Sequence, residues 1–255
     1  MSEQTIQNKT EFNIKIDQPT LKQVIEGIGS LSEECTLTID NEGITSKTLD
    51  PDHVAMINVS LPNSMFEKYE VTKQGNITFH IDDMLKILND IPKESRITIL
   101  NDNDDLILLA NNTTYYLKLS EASFNDQPLP KIPYDSMFEV YELTKYMTRL
   151  IKFGEYVVIE CTNQTCKLSA KGYDNVKLVS IKLEKGMPEL ISLECKNGNT
   201  ECVYSIEYLL PFLKTIPKGT LQRVQYSNQK PLRLHTKLDN FGGFIDLYVA
   251  PRVEY

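Results

Sequence analysis

No apolar run in this chain approaches the ~20 residues that a membrane helix needs. The N-terminus, Met1-Ser2-Glu3-Gln4-Thr5-Ile6-Gln7-Asn8, lacks the basic and apolar regions of a secretory signal. An intracellular protein is the expectation, cytoplasmic, or nuclear if the source is eukaryotic. Cysteine is scarce and odd in number: Cys35, Cys161, Cys166, Cys195 and Cys202, with no C-x-x-C pair. Buried reduced thiols are the expected state, although Cys195 and Cys202 flank a Lys-Asn-Gly-Asn turn that could set them across a hairpin. The three histidines, His53, His80 and His235, have no metal-ligand spacing. Phosphate-cradling glycine motifs and the G-x-S-x-G elbow are missing. Neither an enzyme, a metal site nor a cofactor is expected.

What the chain has is a repeat. His80–Ile99, HIDDMLKILNDIPKESRITI, recurs as Ser205–Val224, SIEYLLPFLKTIPKGTLQRV. Ile81 falls on Ile206, Asp82 on Glu207, Leu85 on Leu210, Leu88 on Leu213, and Ile91-Pro92-Lys93 on Ile216-Pro217-Lys218, at a constant offset of 125. A weaker copy precedes it: Leu21, Val24, Ile25 and Ile28 recur as Leu143, Tyr146, Met147 and Leu150, offset by 122. Each is followed by a strand-like run, Cys35–Ile39 and Val157–Cys161. A duplicated module of that size is a domain, not a solenoid unit. At 255 residues, 41% hydrophobic and 24% charged, the chain is long enough for two domains with their own cores.

Local patterns fill in the halves. Residues 1–10 read as a flexible tail. Alternating Phe12, Ile14 and Ile16 predict a strand, and the stripe at 21, 24, 25 and 28 predicts a helix over Gln18–Leu31. Short strands follow, then a helix over Asp82–Asp90 ending before Ile91-Pro92, then more strands to Leu119. Residues 120–133, SEASFNDQPLPKIP up to the last proline, carry proline without periodicity and read as an interdomain connector. The pattern restarts at Tyr134, with helices over Glu142–Phe153 and Glu207–Thr215 and strands to Tyr248. The domains are therefore placed at 11–119 and 134–255. Many strands with two amphipathic helices per half mean α+β with antiparallel sheets, not βαβ alternation.

Charge is the remaining signal. The net charge of −8 alone argues against a nucleic-acid groove binder. The helices differ from the rest: Lys22, Lys86, Lys145, Arg149, Lys152 and Lys214 stand against Glu26, Asp82, Asp83, Glu142 and Glu207, a surplus of one cation. Cations gathered towards helix C-termini also follow from dipole complementarity, so both readings stand at this point. Asp82 and Asp83 open a helix, where acids cap rather than catalyse, and the acidic run 101–105 reads as a solvated turn.

Two further segments carry a family resemblance. Leu49-Asp50-Pro51-Asp52-His53-Val54-Ala55-Met56, followed by Leu61-Pro62-Asn63-Ser64-Met65-Phe66-Glu67-Lys68-Tyr69, resembles the first domain of proliferating cell nuclear antigen. Tyr248–Val253 resembles that family's tail, and with the repeat the likeness runs from Phe12 to Val253, leaning to the archaeal branch. The resemblance implies the DNA-clamp fold: two tandem similar domains, antiparallel sheets outside and two helices inside, three chains closing into a ring. The implied function is a sliding clamp, a polymerase processivity factor that encircles duplex DNA without sequence specificity and performs no chemistry. Implied partners are further copies of the chain, DNA polymerase, clamp loader, flap endonuclease and DNA ligase, the proteins docking through short peptide motifs.

The resemblance also distributes roles. Lys22, Lys86, Lys145, Arg149, Lys152 and Lys214 would face DNA, while Asn89 stands where relatives can carry lysine. Leu49, His53, Val54, Met56, Leu129, Ile132, Pro133, Tyr134, Pro231, Ala250 and Pro251 would form the partner-peptide pocket. Tyr115 and Leu117 on one edge strand, and Lys177, Val179 and Ile181 on another, would join subunits. The competing readings are one subunit of a heterotrimeric or checkpoint-type clamp and, from a different class, an enzyme with a dispersed active site.

Overall fold

Alternating Phe12, Ile14 and Ile16 do form a strand, β1 (Glu11–Asp17), and the helix α1 (Gln18–Gly29) follows without a gap. The Asp17 carboxylate accepts the Thr20 N–H at 2.9 Å, and a first-turn proline suits an N-terminus that has no carbonyl to reach. The structure is a computed structural model that describes residues 10–102, 105–121, 128–171, 177–238 and 240–252. The tail over 1–9, residues 122–127 of the expected connector, part of the acidic turn and the end of the chain beyond Arg252 lie outside the described residues. The chain divides into two units, the first within Met1–Thr48, Val59–Asp126 and Leu238–Gly243, the second within Leu49–Asn58, Gln127–Lys237 and Phe244–Tyr255.

The chain continues with β2 (Glu34–Ile39), β3 (Gly43–Leu49), β4 (Ala55–Pro62), β5 (Lys68–Lys73), β6 (Gly75–His80), α2 (Ile81–Asp90), β7 (Arg96–Asp102), β8 (Asp105–Ala110) and β9 (Thr113–Lys118), β4 belonging to the second unit as far as Asn58 and to the first from Val59. One sheet runs β5-β1-β7-β8-β9 and the other β4-β3-β2-β6. Antiparallel register sets Ile14 opposite Ile99 and Ile99 opposite Leu108, so one face is apolar throughout. Residues of both sheets and both helices, among them Phe12, Val24, Leu37, Ile77, Met84 and Ile99, meet in one core. Gly43 is required there: its φ is +153°, and a Cβ would stand 2.2 Å from the Leu61 carbonyl oxygen.

The second unit repeats this plan with β10 (Ser136–Val140), α3 (Leu143–Leu150), β11 (Tyr156–Thr162), β12 (Thr165–Lys171), β13 (Lys177–Glu184), β14 (Leu190–Cys195), β15 (Asn199–Ser205), α4 (Ile206–Thr215), β16 (Gln222–Tyr226), β17 (Leu232–Lys237) and β18 (Phe244–Val249). Its sheets run β14-β10-β16-β17-β18 and β13-β12-β11-β15. Each strand and helix has a counterpart at the same place in the other unit. The repeat extends to the dihedrals. α2 is preceded by His80 at φ −73°, ψ 128° and followed by Ile91 at −79°, 127°; α4 is flanked by Ser205 at −74°, 127° and Ile216 at −83°, 128°. The proline after each isoleucine forbids a further helical turn in both copies.

Several expectations are corrected. Cys195 and Cys202 do not face each other across a hairpin, because β14 and β15 belong to different sheets; all five thiols are free and buried. α3 stops at Leu150 rather than Phe153, and Glu142 precedes it in the left-handed region at φ 64°, outside the helix. α1 ends at Gly29, where the Ser30 N–H closes on Glu26 and Gly27 carbonyls. No helix among the described residues is long and apolar enough to cross a membrane.

Candidate nucleic-acid interface and partner pocket

Each unit packs its two helices side by side, α1 with α2 and α3 with α4. The tie is made at the same backbone position of the repeat. Gln18 Nε2 donates to the Leu88 carbonyl at 2.6 Å, and Thr144 Oγ1 donates to that of Leu213 at 3.0 Å. Leu21, Val24, Ile25, Met84 and Leu88 bury one face of the first pair; Leu143, Met147, Leu150, Leu209 and Leu213 bury one face of the second. The opposite faces are polar, as amphipathic spacing requires.

On the first pair the cations are engaged. Lys22 Nζ donates to Asn89 Oδ1 at 2.6 Å and lies 3.7 Å from Glu26. Lys86 Nζ meets Asp83 Oδ1 at 2.7 Å; this contact lowers the carboxyl pKa and raises that of the ammonium. Asp90, the last residue of α2, accepts the Tyr115 hydroxyl at 2.8 Å. On the second pair Lys145 lies 3.7 Å from Glu142, and Arg149, Lys152 and Lys214 are exposed with no ion-pair partner among the described residues.

Within the observed bounds the four helices carry five cations and five carboxylates, because Asp90 belongs to α2 while Lys152 and Glu142 fall outside α3. The surplus of one is therefore corrected to balance. Dipole complementarity does not place the cations either: only Arg149 and Lys214 stand in a last turn.

The residues expected to form a pocket all belong to the second unit. Its wall at 49–56 is built by Asp50. That buried carboxylate accepts the N–H groups of Val54 at 2.7 Å, Ala55 at 2.5 Å and Asp52 at 3.1 Å. Its carbonyl accepts the His53 N–H at 3.0 Å. The turn holds His53 at φ 59° and leaves its ring exposed. The Ala250 N–H then donates to the Val54 carbonyl at 2.8 Å. β17 and β18 pair Leu232 with Val249, which sets Pro231 beside Ala250. Val54, Ala250 and Pro231 thus stand on adjacent backbones, half-buried, with Leu49, Met56 and Pro251 also half-buried.

The chain entering β10 is anchored nearby. The Pro133 carbonyl accepts Ser227 Oγ at 3.1 Å, Ser227 Oγ accepts the Asp135 N–H at 2.8 Å, and Lys196 Nζ donates to the Tyr134 carbonyl at 3.0 Å. Leu129 (37% exposed) and Ile132 precede this anchor, and no hydrogen bond joins them to the wall.

Sequence reasoning missed the polar layer beside these residues. Asp246, 1% exposed, accepts Arg233 at 2.8 Å and lies 2.8 Å from His235 Nδ1. Burial, and then the nearby Tyr248, push the Tyr134 hydroxyl well above the usual tyrosine range. The signal was available: Arg233, His235 and Asp246 sit at alternate positions of β17 and β18, the phase opposite the core residues.

β9 and β13 each end a sheet. Leu117 is 4% exposed and points into the core, whereas its neighbour Tyr116 is 68% exposed; an outward side-chain contact falls to Tyr116, not Leu117. Tyr115 is occupied by Asp90. On β13, Val179 and Ile181 are half-buried and Leu178 is 58% exposed. The Lys177 side chain lies outside the described residues.

Two like α+β units, each two antiparallel sheets with a helix pair, define the DNA-clamp fold, and known proteins agree. The N-terminal domain of proliferating cell nuclear antigen matches residues 11–126 and its C-terminal domain residues 129–252. The chain is 35% identical to a DNA polymerase sliding clamp of Nitrosopumilus maritimus, over 92% of this chain and 95% of that one. A DNA polymerase sliding clamp of Cenarchaeum symbiosum is 34% identical over 91% and 94%. Among solved structures, PCNA of Thermococcus kodakaraensis superposes with a TM-score of 0.88 at 22% identity, covering 94% of this chain and all of that one. A. fulgidus PCNA bound to the C-terminal region of FEN-1 gives 0.84 at 23%, over 96% and 99%.

The chain belongs to the proliferating cell nuclear antigen family of DNA polymerase sliding clamps. It is a sliding clamp, a processivity factor for DNA polymerase rather than an enzyme.

Proposed function

We propose that three copies of this chain close head to tail into the ring, β9 of one joining β13 of the next. The observation that carries this is the correspondence between the units. Within the second unit, β18 has the first half of β4 beside it. β9 is the counterpart of β18 and β13 the counterpart of β4, and each ends its sheet. Pairing them repeats an arrangement already present in the chain and removes two open edges. The interface is heterologous, so it forms a closed ring only at the right rotation. The domains follow the notional limits 11–119 and 134–255, joined by 120–133.

The helix pairs line the hole in this reading, and the pocket around His53, Val54, Met56, Pro231, Ala250 and Pro251 takes a peptide of the form Gln-x-x-aliphatic-x-x-aromatic-aromatic. The A. fulgidus relative, solved with a C-terminal segment of FEN-1, supports a peptide-docking role. DNA polymerase, clamp loader and DNA ligase are proposed to use the same pocket. An apolar recess with a few anchor points suits several partners. A ring of unlike subunits is the second reading, favoured by the resemblance to a PCNA2–PCNA3 complex of Sulfolobus tokodaii, with a TM-score of 0.85 at 22% identity.

The test is solution mass by sedimentation equilibrium, then retention on closed circular duplex compared with linear duplex. Three chains per particle and loss from linear DNA ends are expected. A monomer at all concentrations overturns the homotrimer. For the pocket, His53→Ala with Pro251→Ala should weaken a motif peptide at least tenfold; unchanged binding overturns the assignment.

A further inference from the structure

We infer that the two helix pairs of the chain are not equivalent towards DNA: phosphate contacts are made by α3 and α4, while α1 and α2 present a negative surface that the duplex avoids. The inference rests on the clamp reading and refines it. Counterparts in a repeat start equal, so a difference between them is informative. α1 and α2 carry Lys22 and Lys86 against Glu26, Asp82, Asp83 and Asp90, two cations to four carboxylates. α3 and α4 carry Lys145, Arg149 and Lys214 against Glu207, three cations to one. The flanking Glu142 and Lys152 cancel. A negative face repels phosphate at the distances where a positive one attracts it.

The hydrogen bonding points the same way. Lys22 is drawn onto Asn89 and Glu26, and Lys86 onto Asp83. To reach phosphate each must leave a partner. Arg149 and Lys214 have none to leave among the described residues, and both sit in last turns with their side chains in solvent. Asn89 makes the divergence specific. It occupies the repeat position of Lys214, 125 residues earlier. The cation present in the second copy is an amide in the first, and that amide accepts a hydrogen bond from Lys22. In a ring of three chains the lining would alternate between attractive and repulsive sectors, with a duplex held against the attractive ones.

The measurement is affinity for a ~30-base-pair duplex as a function of salt, with assembly verified by sedimentation. Each phosphate contact contributes about 0.9 to the slope of log K against log salt. Arg149→Ala with Lys214→Ala should weaken binding at least tenfold at low salt and reduce the slope by about 1–2. Lys22→Ala with Lys86→Ala should change affinity less than twofold and leave the slope as it is. Asn89→Lys with Asp83→Asn should tighten binding and steepen the slope. An equal or larger loss from the first-unit variant, or no gain from Asn89→Lys, overturns the inference while leaving the clamp standing. Absence of salt-dependent duplex binding by the unaltered chain overturns the clamp reading itself.

Discussion

At the scale of single residues, the proposed peptide pocket depends on a side chain that does not line it. Asp50 is buried, and its carboxylate holds the N–H groups of Asp52, Val54 and Ala55 in the turn that presents His53. Asp50→Ala leaves those donors unpaired, at a cost of about 2–3 kcal/mol. Peptide affinity should fall with it, since His53 is held at φ 59° only by that turn. Urea unfolding and a peptide titration read the two effects, and an intact pocket in the variant would show that the turn organises itself. Glu139 offers a pH test. Burial pushes its carboxyl up, but hydrogen bonds from Arg223 at 2.8 Å and Ser192 at 3.0 Å outweigh burial and lower its pKa. A group lowered in the folded state stabilises fully above its unfolded value, about 4.3 for glutamate, and loses that contribution as pH falls through the folded value. Arg223→Ala should therefore cost about 1 kcal/mol at neutral pH and progressively less below about pH 4. A difference independent of pH would mean that packing, not charge, makes the contribution.

At the scale of elements, α4 carries a feature that its counterpart lacks. Pro211 lies inside the helix, where it removes one N–H and crowds the preceding turn. Its counterpart by offset is Lys86 of α2. Pro211→Ala should restore a hydrogen bond to the Glu207 carbonyl and raise stability by about 1 kcal/mol, part of the ~3 kcal/mol interior penalty having been absorbed by local adjustment. A lower Tm would show that the proline itself is needed for packing. The elements were also where the sequence was most legible. Both helices of the strong repeat end at Ile-Pro, where the proline disfavours helical dihedrals in the isoleucine before it. The strand at 96–100 was legible because Ile97 and Ile99 alternate with polar or half-buried neighbours, one face being buried. The start of α3 was not, because Glu142 in a left-handed conformation carries no glycine or asparagine to mark it. The cysteines are free and buried as the sequence leads one to expect, while the lesser possibility of Cys195 facing Cys202 fails because a short turn joins strands of one hairpin or of two sheets with the same residues. In the pocket, Val54, Pro231 and Ala250 were named from resemblance, while Asp50, Ser227 and the Arg233–Asp246–His235 group were overlooked. Those are polar groups, and only long-range pairing reveals what they hold.

At the scale of the whole molecule, the open edges make a prediction that does not depend on any site. Tyr116 on β9 and Leu178 on β13 are 68% and 58% exposed, among the largest apolar exposures of the described residues. An isolated subunit has no use for them, and a head-to-tail pairing would cover both. Placing a carboxylate at either position should cost about 2–3 kcal/mol per interface, roughly a hundredfold in association. Tyr116→Asp chains and Leu178→Asp chains should each sediment as monomers at concentrations where the unaltered chain forms threes, with Tm of the subunit fold retained. The mixture is the decisive case. Tyr116→Asp chains keep a sound β13, and Leu178→Asp chains keep a sound β9. Mixed one to one, they can form a single intact junction and no second one, so the expected species is a dimer containing one of each. An isologous contact of β9 with β9 would instead let Leu178→Asp chains dimerise alone, and a contact through other edges would leave both variants trimeric. Only a heterologous junction predicts two monomers that combine into a pair and stop there, because ring closure needs every chain to contribute both of its edges.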